Sequence, residues 1–393
     1  MNKQHQNESA PPPPRPVSLV DTTLREGQQH GLVAFSVEQA LDLAKLLDAF
    51  HIDILEVGHP AASEQATQTG KAICSAGLSC ATLGHARAAC QDVARVVEIG
   101  ADWEGIFVSV NDTSVSHKMH RAREAIYQAI REAIAEAKRN GLHVQFTCED
   151  GSRTPLDLVS ESFEIALEEG VDRVYYADTV GIMRPRQMYD VIKTLTQRFG
   201  PVLHVHCHND FGLGTANVLA AYEAGAVGLD VTIDGIGERC GLVPLAEVAC
   251  ALTTLYGVDA PWDLSLLQAL STRLNQLFSR GSIDARPIVG RYAFAHKSSL
   301  HIAAEIEERT TYELFPPERV GQTRRFILSK LIGRASLASL ARLAGMECDR
   351  DSLNSMVELL KTCVQPTELE FPAGAEKEDT LAPLGLATSP QKA

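Results

Sequence analysis

The sequence predicts an α/β chain folded as a (β/α)8 barrel with a mainly helical C-terminal extension, and three observations predict it. Short apolar runs alternate with longer amphipathic stretches between Val17 and about Tyr256. Eight such units in roughly 240 residues is the size of that barrel. The rhythm then stops after Asp259. An open doubly wound sheet is the rival, but no G-x-G-x-x-G follows the first run.

The runs begin at Val17 (VSLVDT), Ile52 (IDILEV), Leu78 (LSCATL), Gly105 (GIFVSV), His143 (HVQFTCE), Asp172 (DRVYYAD), Val202 (VLHVHCH) and Leu229 (LDVTID). Several are apolar throughout and rich in Val and Ile, as strands buried on both faces must be. Between them, 36–50 opens on a Ser N-cap and repeats apolar residues at helical spacing. Residues 116–140 read as one long helix ending on Asn-Gly. Pro155 and Pro185 sit where first helical turns begin. The expected organisation is a disordered polyproline-prone tail over 1–16, the catalytic barrel over 17–258, helical subdomains over 259–365 and a disordered tail over 366–393.

Composition narrows the function. The net charge of −14 comes without a basic stripe, which argues against nucleic acid or an anionic membrane as partner. It also means that a site for anionic substrates needs local arginine, lysine or metal. No apolar run is long enough to span a membrane, and the first residues lack the pattern of a secretory signal. Nine scattered cysteines without a C-x-x-C pair read as reduced thiols in a cytoplasmic protein.

Active sites of such barrels are built at the carboxyl ends of the strands. That position selects Asp21, Arg25, Glu26, Glu56, His85, Arg87, Glu149, Asp150, Arg153, Asp178 and Thr179, then His206, His208, Asn209, Asp210, Glu238 and Arg239. The sharpest signal is HVHCHND from His204. Alternate side chains of a strand share a face, which sets His206 and His208 about 6–7 Å apart at Cα. Two imidazoles so placed suit one divalent ion, with a carboxylate from elsewhere as third ligand. His204 lies deeper and reads as a core residue. In DTTLREGQQ, from Asp21, either Asp21 or Glu26 could be that carboxylate, and Arg25 could stabilise developing oxyanion charge.

DTTLREGQQ, HCHND and GIGERCGLVPLAE (from Gly235) together resemble the pyruvate-carboxylase-like metallolyase barrels. Within these the chain resembles the condensing branch of homocitrate synthase and 2-isopropylmalate synthase, over Val17 to Thr311 and beyond. FAHKSSLHIAA, from Phe294, is similar to a homocitrate synthase segment. The resemblance implies a divalent metal (Zn, Mn or Mg) on Glu26, His206 and His208, with acetyl-CoA as co-substrate. It implies that Arg25 contacts the 2-oxo acid's carbonyl oxygen, Thr179 holds the C1 carboxylate, and His85 and Glu56 line the substrate pocket. Glu149, His301 and Tyr312 match catalytic positions, with His301 the leading candidate base. In the family the last two come from a partner subunit, so a homodimer is implied.

Two departures bear on substrate. Val115 falls where homocitrate synthases carry the arginine that grips the distal carboxylate of 2-oxoglutarate. A carboxylate beside valine would be costly, which favours an apolar or aromatic acceptor, as in alkylmalate or benzylmalate synthases. Homocitrate synthesis from 2-oxoglutarate is the alternative, with Lys118 or Arg121 swinging in, and a carbon–carbon lyase on the same barrel is a second. Leu242 stands where isopropylmalate and nitrogen-fixation homocitrate synthases usually have asparagine, while lysine-pathway homocitrate synthases also place an aliphatic residue there. The chain is too short for the regulatory domain of isopropylmalate synthases, so feedback through one is not expected.

Overall fold

The computed structural model describes residues 14–31, 33–277, 292, 294–313, 317, 323–343, 345–362 and 367–371. The first expected tail, apart from residues 14–16, lies outside them, as does most of the second. Eight parallel strands close in sequence order into a barrel. They are β1 (Ser18–Asp21), β2 (Ile54–Gly58), β3 (Ala81–Arg87), β4 (Trp103–Ser109), β5 (His143–Glu149), β6 (Arg173–Asp178), β7 (Leu203–Cys207) and β8 (Gly228–Val231). Closure is by β1 against β8, in register from Ser18–Gly228 to Asp21–Val231.

The outer helices are α1 (Val37–Ala49), α2 (Glu64–Cys74), α3 (Cys90–Ile99), α4 (Arg123–Arg139), α5 (Leu156–Glu168), α6 (Pro185–Phe199), α7 (Gly214–Ala224) and α8 (Leu245–Thr254). Ser36 caps α1 through a reciprocal box with Gln39, which satisfies two otherwise orphan donors. The main core, including Leu43, Leu47, Val93, Ile130 and Phe163, is the layer between strands and helices. Inside the barrel floor, Val20, Ile54 and Leu83 pack together, and the Arg173 guanidinium lies 3.4 Å over the Trp103 ring.

The long helix expected over 116–140 is interrupted. Residues Ser114–Met119 make a wide π-type turn, and His120 takes φ 51°, a left-handed conformation. Ala122 is then extended, and α4 starts only at Arg123. A left-handed residue stops a right-handed helix outright.

The extension contains α9 (Leu267–Leu277), α10 (Ser299–Glu307), α11 (Arg334–Leu343) and α12 (Arg350–Thr362). It also holds a small sheet that periodicity did not reveal. β9 (Ala295–His296) pairs parallel with β10 (Arg324–Leu328), and β11 (Thr367–Phe371), expected to begin the tail, pairs antiparallel with β10. Ile302, Phe326, Leu337, Leu353 and Val357 give this lobe its own core. No helix among the described residues is long and apolar enough to cross a membrane.

One buried carboxylate has a stability consequence. Glu104 points outward from β4, fully buried, with neither oxygen hydrogen-bonded among the described residues. Burial, with smaller contributions from Asp92 and Glu136, pushes its carboxyl up to about 8 from an ordinary 4.5. Between those two pH values the folded chain keeps a proton that the unfolded chain has released, so stability falls as pH rises through the window. Glu104→Gln should therefore match the wild type near pH 4.5 and exceed it at pH 8 by on the order of 3 kcal/mol, measured by urea unfolding at both pH values.

Candidate active site

At the carboxyl ends of the strands, a cavity of about 480 Å3 opens between the barrel and the C-terminal lobe. Its floor is set by β1 and β7. The chain leaves β1 in a tight turn in which the Glu26 amide donates to the Thr22 carbonyl at 2.7 Å. This turn aims Glu26 at the histidine pair. Glu26, His206 and His208 each offer a ligand atom within 4.8 Å of the others. Each histidine Nε2 stops 4.0 Å from a Glu26 oxygen. That is too far for a hydrogen bond, yet within the separation of two donors about 2.1 Å from a shared ion.

The donor set fits a divalent cation. His206 donates from Nδ1 to Asp230 at 2.7 Å, the partner that leaves Nε2 bare for a metal. Burial, then Arg239, holds His208 well below the usual imidazole range, so it is neutral as a ligand must be. Asp21 does not compete. Its two oxygens accept from the Thr23 amide and hydroxyl at 2.9 and 3.0 Å, and it does not line the cavity.

Arg25 bridges two carboxylates, Nη1 to Glu26 at 2.6 Å and Nε to Glu56 at 2.7 Å. Its Nη2 has no hydrogen-bond partner among the described residues. Glu56 also meets His85 Nδ1 at 2.7 Å, and Phe107 stacks on the His85 ring at 4.7 Å. On the far wall, Thr179 Oγ1 accepts the Asp150 amide at 2.8 Å, which leaves its hydroxyl proton to donate into the cavity. Arg239 holds this threonine in place, donating to its carbonyl and to Asp210.

The lobe covers the mouth and brings His301 and Tyr312, whose rings stack at 4.0 Å. Tyr312 Oη donates to Glu149 Oε1 at 3.2 Å, and Lys118 Nζ donates to both Glu149 oxygens at 2.6 and 2.8 Å. Burial alone would raise the Glu149 carboxyl, but the Lys118 ammonium, His301 and Tyr312 together hold the carboxyl below its usual range. The resemblance drew His301 and Tyr312 from a partner subunit. In this single chain 294–313 lies over its own barrel, with Lys297 donating to the carbonyls of His30 and Val33 and Arg153 to those of Thr310 and Thr311.

Three predicted site residues do not line the cavity: Glu56 and Tyr312, which stand behind Arg25 and Glu149, and Val115, which is turned away from it. The π-type turn sends Val115 against the main core and presents Lys118, three residues on, to the site.

Sequence reasoning also missed a dyad. Glu238 stood among the strand-end candidates without a role. It is fully buried, with one oxygen on His301 Nδ1 and the other 3.3 Å from His296 Nδ1. Against a strong opposing effect of burial, His301 and His296 hold its carboxyl well below the usual range. Its backbone amide donates to Glu26 Oε1 at 2.9 Å, so one loop residue touches both ends of the site. The loop closes at Gly241 (φ 84°), where a Cβ would sit 2.0 Å from the Gly235 carbonyl oxygen, a position open only to glycine. This second carboxylate–histidine group is also compact. Both imidazoles turn Nδ1 to the carboxylate.

Comparison with known proteins extends the picture. Residues 16–273 match the HMGL-like family, and residues 288–367 match the homocitrate synthase post-HMGL domain-like family. The chain is 36% identical over 353 residues to homocitrate synthase AksA of Methanosarcina mazei, covering 90% of this chain and 87% of that one. It is 36% identical over 352 residues to 2-isopropylmalate synthase of Methanocaldococcus jannaschii, covering 88% and 68%. A Methanopyrus kandleri protein, provisionally named (R)-citramalate synthase CimA, is 38% identical over 351 residues, covering 89% and 69%. The HMG-CoA lyase of Brucella melitensis superposes with a TM-score of 0.61 at 16% identity, over 68% of this chain and all of that one, which is a likeness of fold.

Proposed function

The chain belongs to the HMGL-like family, with the homocitrate synthase post-HMGL domain behind its barrel, and we propose that it condenses acetyl-CoA with a 2-oxo acid whose side chain is uncharged. It is a condensing acyltransferase, one in which the transferred acyl group becomes alkyl. The observation that carries the reading is the meeting, across one cavity, of a charge-stabilising end (Arg25, Glu26, His206, His208) and His301, which Glu238 backs from behind.

A divalent ion on Glu26, His206 and His208 would polarise the carbonyl of the 2-oxo acid. Thr179 donates its hydroxyl proton to the C1 carboxylate. His301, its Nδ1 held by Glu238, accepts a proton from the acetyl methyl at its other ring nitrogen. Glu238 stabilises the imidazolium that results. The enolate carbon forms the new bond to the keto carbon, whose oxygen takes the electron pair and faces Arg25 Nη2. Water then cleaves the thioester, CoA leaves as the thiol, and the alkoxide takes up a proton.

The uncharged acceptor rests on the cavity floor. Arg25 is committed to Glu26 and Glu56, and Lys118 to Glu149. Phe107, Gln145 and Thr147 add uncharged lining, and Arg87, which also lines the cavity, is held by both oxygens of Asp92. A second carboxylate buried there would lack a cation of its own. The relatives' names span three different products and do not choose among acceptors. A thiol-release assay with acetyl-CoA should give kcat/KM for 2-oxoisovalerate, pyruvate or phenylpyruvate about 100-fold above that for 2-oxoglutarate. Preference for 2-oxoglutarate would overturn the acceptor, and no thiol release with any of the four would overturn the reaction.

A further inference from the structure

Two lysines meet where the C-terminal lobe rests on the barrel. β9 and β10 run parallel, so both strands exit toward the same side. Lys297 follows β9 directly, and Lys330 stands two residues past β10. Both are buried against the connection between β1 and α1. Lys297 donates to the carbonyls of His30 and Val33, while Lys330 reaches the Phe35 carbonyl only at a long 3.5 Å. Neither ammonium meets a carboxylate among the described residues.

The lysines that line the catalytic cavity are Lys118, Lys330 and Lys361, and they differ in what holds them. Lys118 rests on both oxygens of Glu149 and Lys361 on Glu358. Lys330, only 8% exposed, has no such partner. A buried ammonium without a counterion is costly, and a second cation nearby adds to the cost. Burial accordingly pulls Lys330 below the ordinary lysine range, and burial together with the Lys330 charge pulls Lys297 down to about 7. Desolvation beside another cation is how a lysine amine becomes a nucleophile. Lys297 is shut off from the cavity, whereas Lys330 lies on its wall.

We infer that Lys330 is an acylation site, which takes the acetyl group of a bound thioester when no 2-oxo acid is present to accept it, and that this modification silences the enzyme. The inference rests on the acetyl-CoA chemistry proposed above and adds a second fate for the same acyl group. The neutral Nζ attacks the thioester carbonyl carbon, the N–C bond forms as the C–S bond breaks, and the electron pair leaves on sulfur. The proton lost by nitrogen ends on that sulfur, so acetyl-lysine and the CoA thiol are the products and no further reactant is required. The exchange turns an uncompensated buried cation into a neutral amide, and the added acetyl group occupies the wall of the cavity.

The test is to incubate the full-length protein with acetyl-CoA alone and to map the acetylated lysines by peptide mass spectrometry over time. Lys330 should be modified at least about 10-fold faster than Lys45 and Lys193, which are exposed on the outer helices, and Lys297 should stay unmodified. Excess free CoA should slow the reaction at Lys330 and leave the two surface lysines unchanged, because only the first uses a bound donor. Catalytic thiol release should fall in step with the fraction acetylated at Lys330. Lys330→Arg, which keeps the charge and offers no amine nucleophile, should hold whatever activity it starts with through the same incubation. Modification of Lys330 no faster than that of Lys45, or insensitive to CoA, overturns the inference, and so does equal inactivation of Lys330→Arg. Acetylation at Lys330 in a protein that turns over no 2-oxo acid would sink the proposed reaction and leave this site standing. Turnover in a protein whose Lys330 stays unmodified would do the reverse.

Discussion

Glu26→Ala should purify without its divalent ion and release CoA more than about 1,000-fold more slowly than the wild type. The expectation follows from what remains. Two imidazoles would be left beside the Arg25 guanidinium, whose Nη1 now rests on the Glu26 carboxylate at 2.6 Å. Without that carboxylate the site carries a net positive neighbour and two imidazoles with no anionic ligand, a poor host for a dication. Glu26→Gln sharpens the test, because it keeps the side chain's size and an oxygen for the Glu238 amide while removing the charge. It should lose metal equally while unfolding at the wild-type temperature. Asp21→Asn should keep its metal, since both Asp21 oxygens are turned to Thr23. Metal content by elemental analysis, a thermal melt and a thiol-release assay cover all three variants. Full metal occupancy in Glu26→Ala, or undiminished CoA release in chelated buffer, would remove Glu26 from the site.

What the sequence made legible here followed from local geometry, and what it hid was non-local. The His206 and His208 pair was readable because alternation along a strand is fixed by the pleat. The eight β/α units were readable because each strand, buried on both faces, keeps an apolar run. The choice between Asp21 and Glu26 was not, since it depends on a single turn that buries one carboxylate against Thr23 and swings the other across the barrel mouth. Val115 misled for a similar reason. A π-type turn and one left-handed residue, His120, shift which side chain of that segment meets the cavity. The Glu238–His301 contact spans 63 positions, and β9 has two residues. Neither leaves a periodic trace.

The same non-local contact supplies the second large effect. His301→Ala and Glu238→Gln should each lower kcat by about 100-fold to 10,000-fold, and the double variant should be no slower than the slower single one. Residues that act as a unit give such non-additivity. The argument is positional: Glu238 touches no reacting atom but stands against His301 Nδ1 as its charge partner, so once the imidazole is gone the carboxylate has nothing to orient. A role confined to stability would predict additive losses instead. Because Glu238 also donates its backbone amide to Glu26, the Gln substitution, which leaves the backbone in place, should not disturb metal content. Exchange of the acetyl methyl protons of acetyl-CoA with deuterated solvent isolates the step. It should be abolished in His301→Ala and strongly slowed in Glu238→Gln, while Thr179→Val, which loses a carboxylate contact, should chiefly raise KM for the 2-oxo acid. Exchange at the wild-type rate in His301→Ala would assign the base to another residue, with Glu149, 3.2 Å from Tyr312 Oη, next in reach.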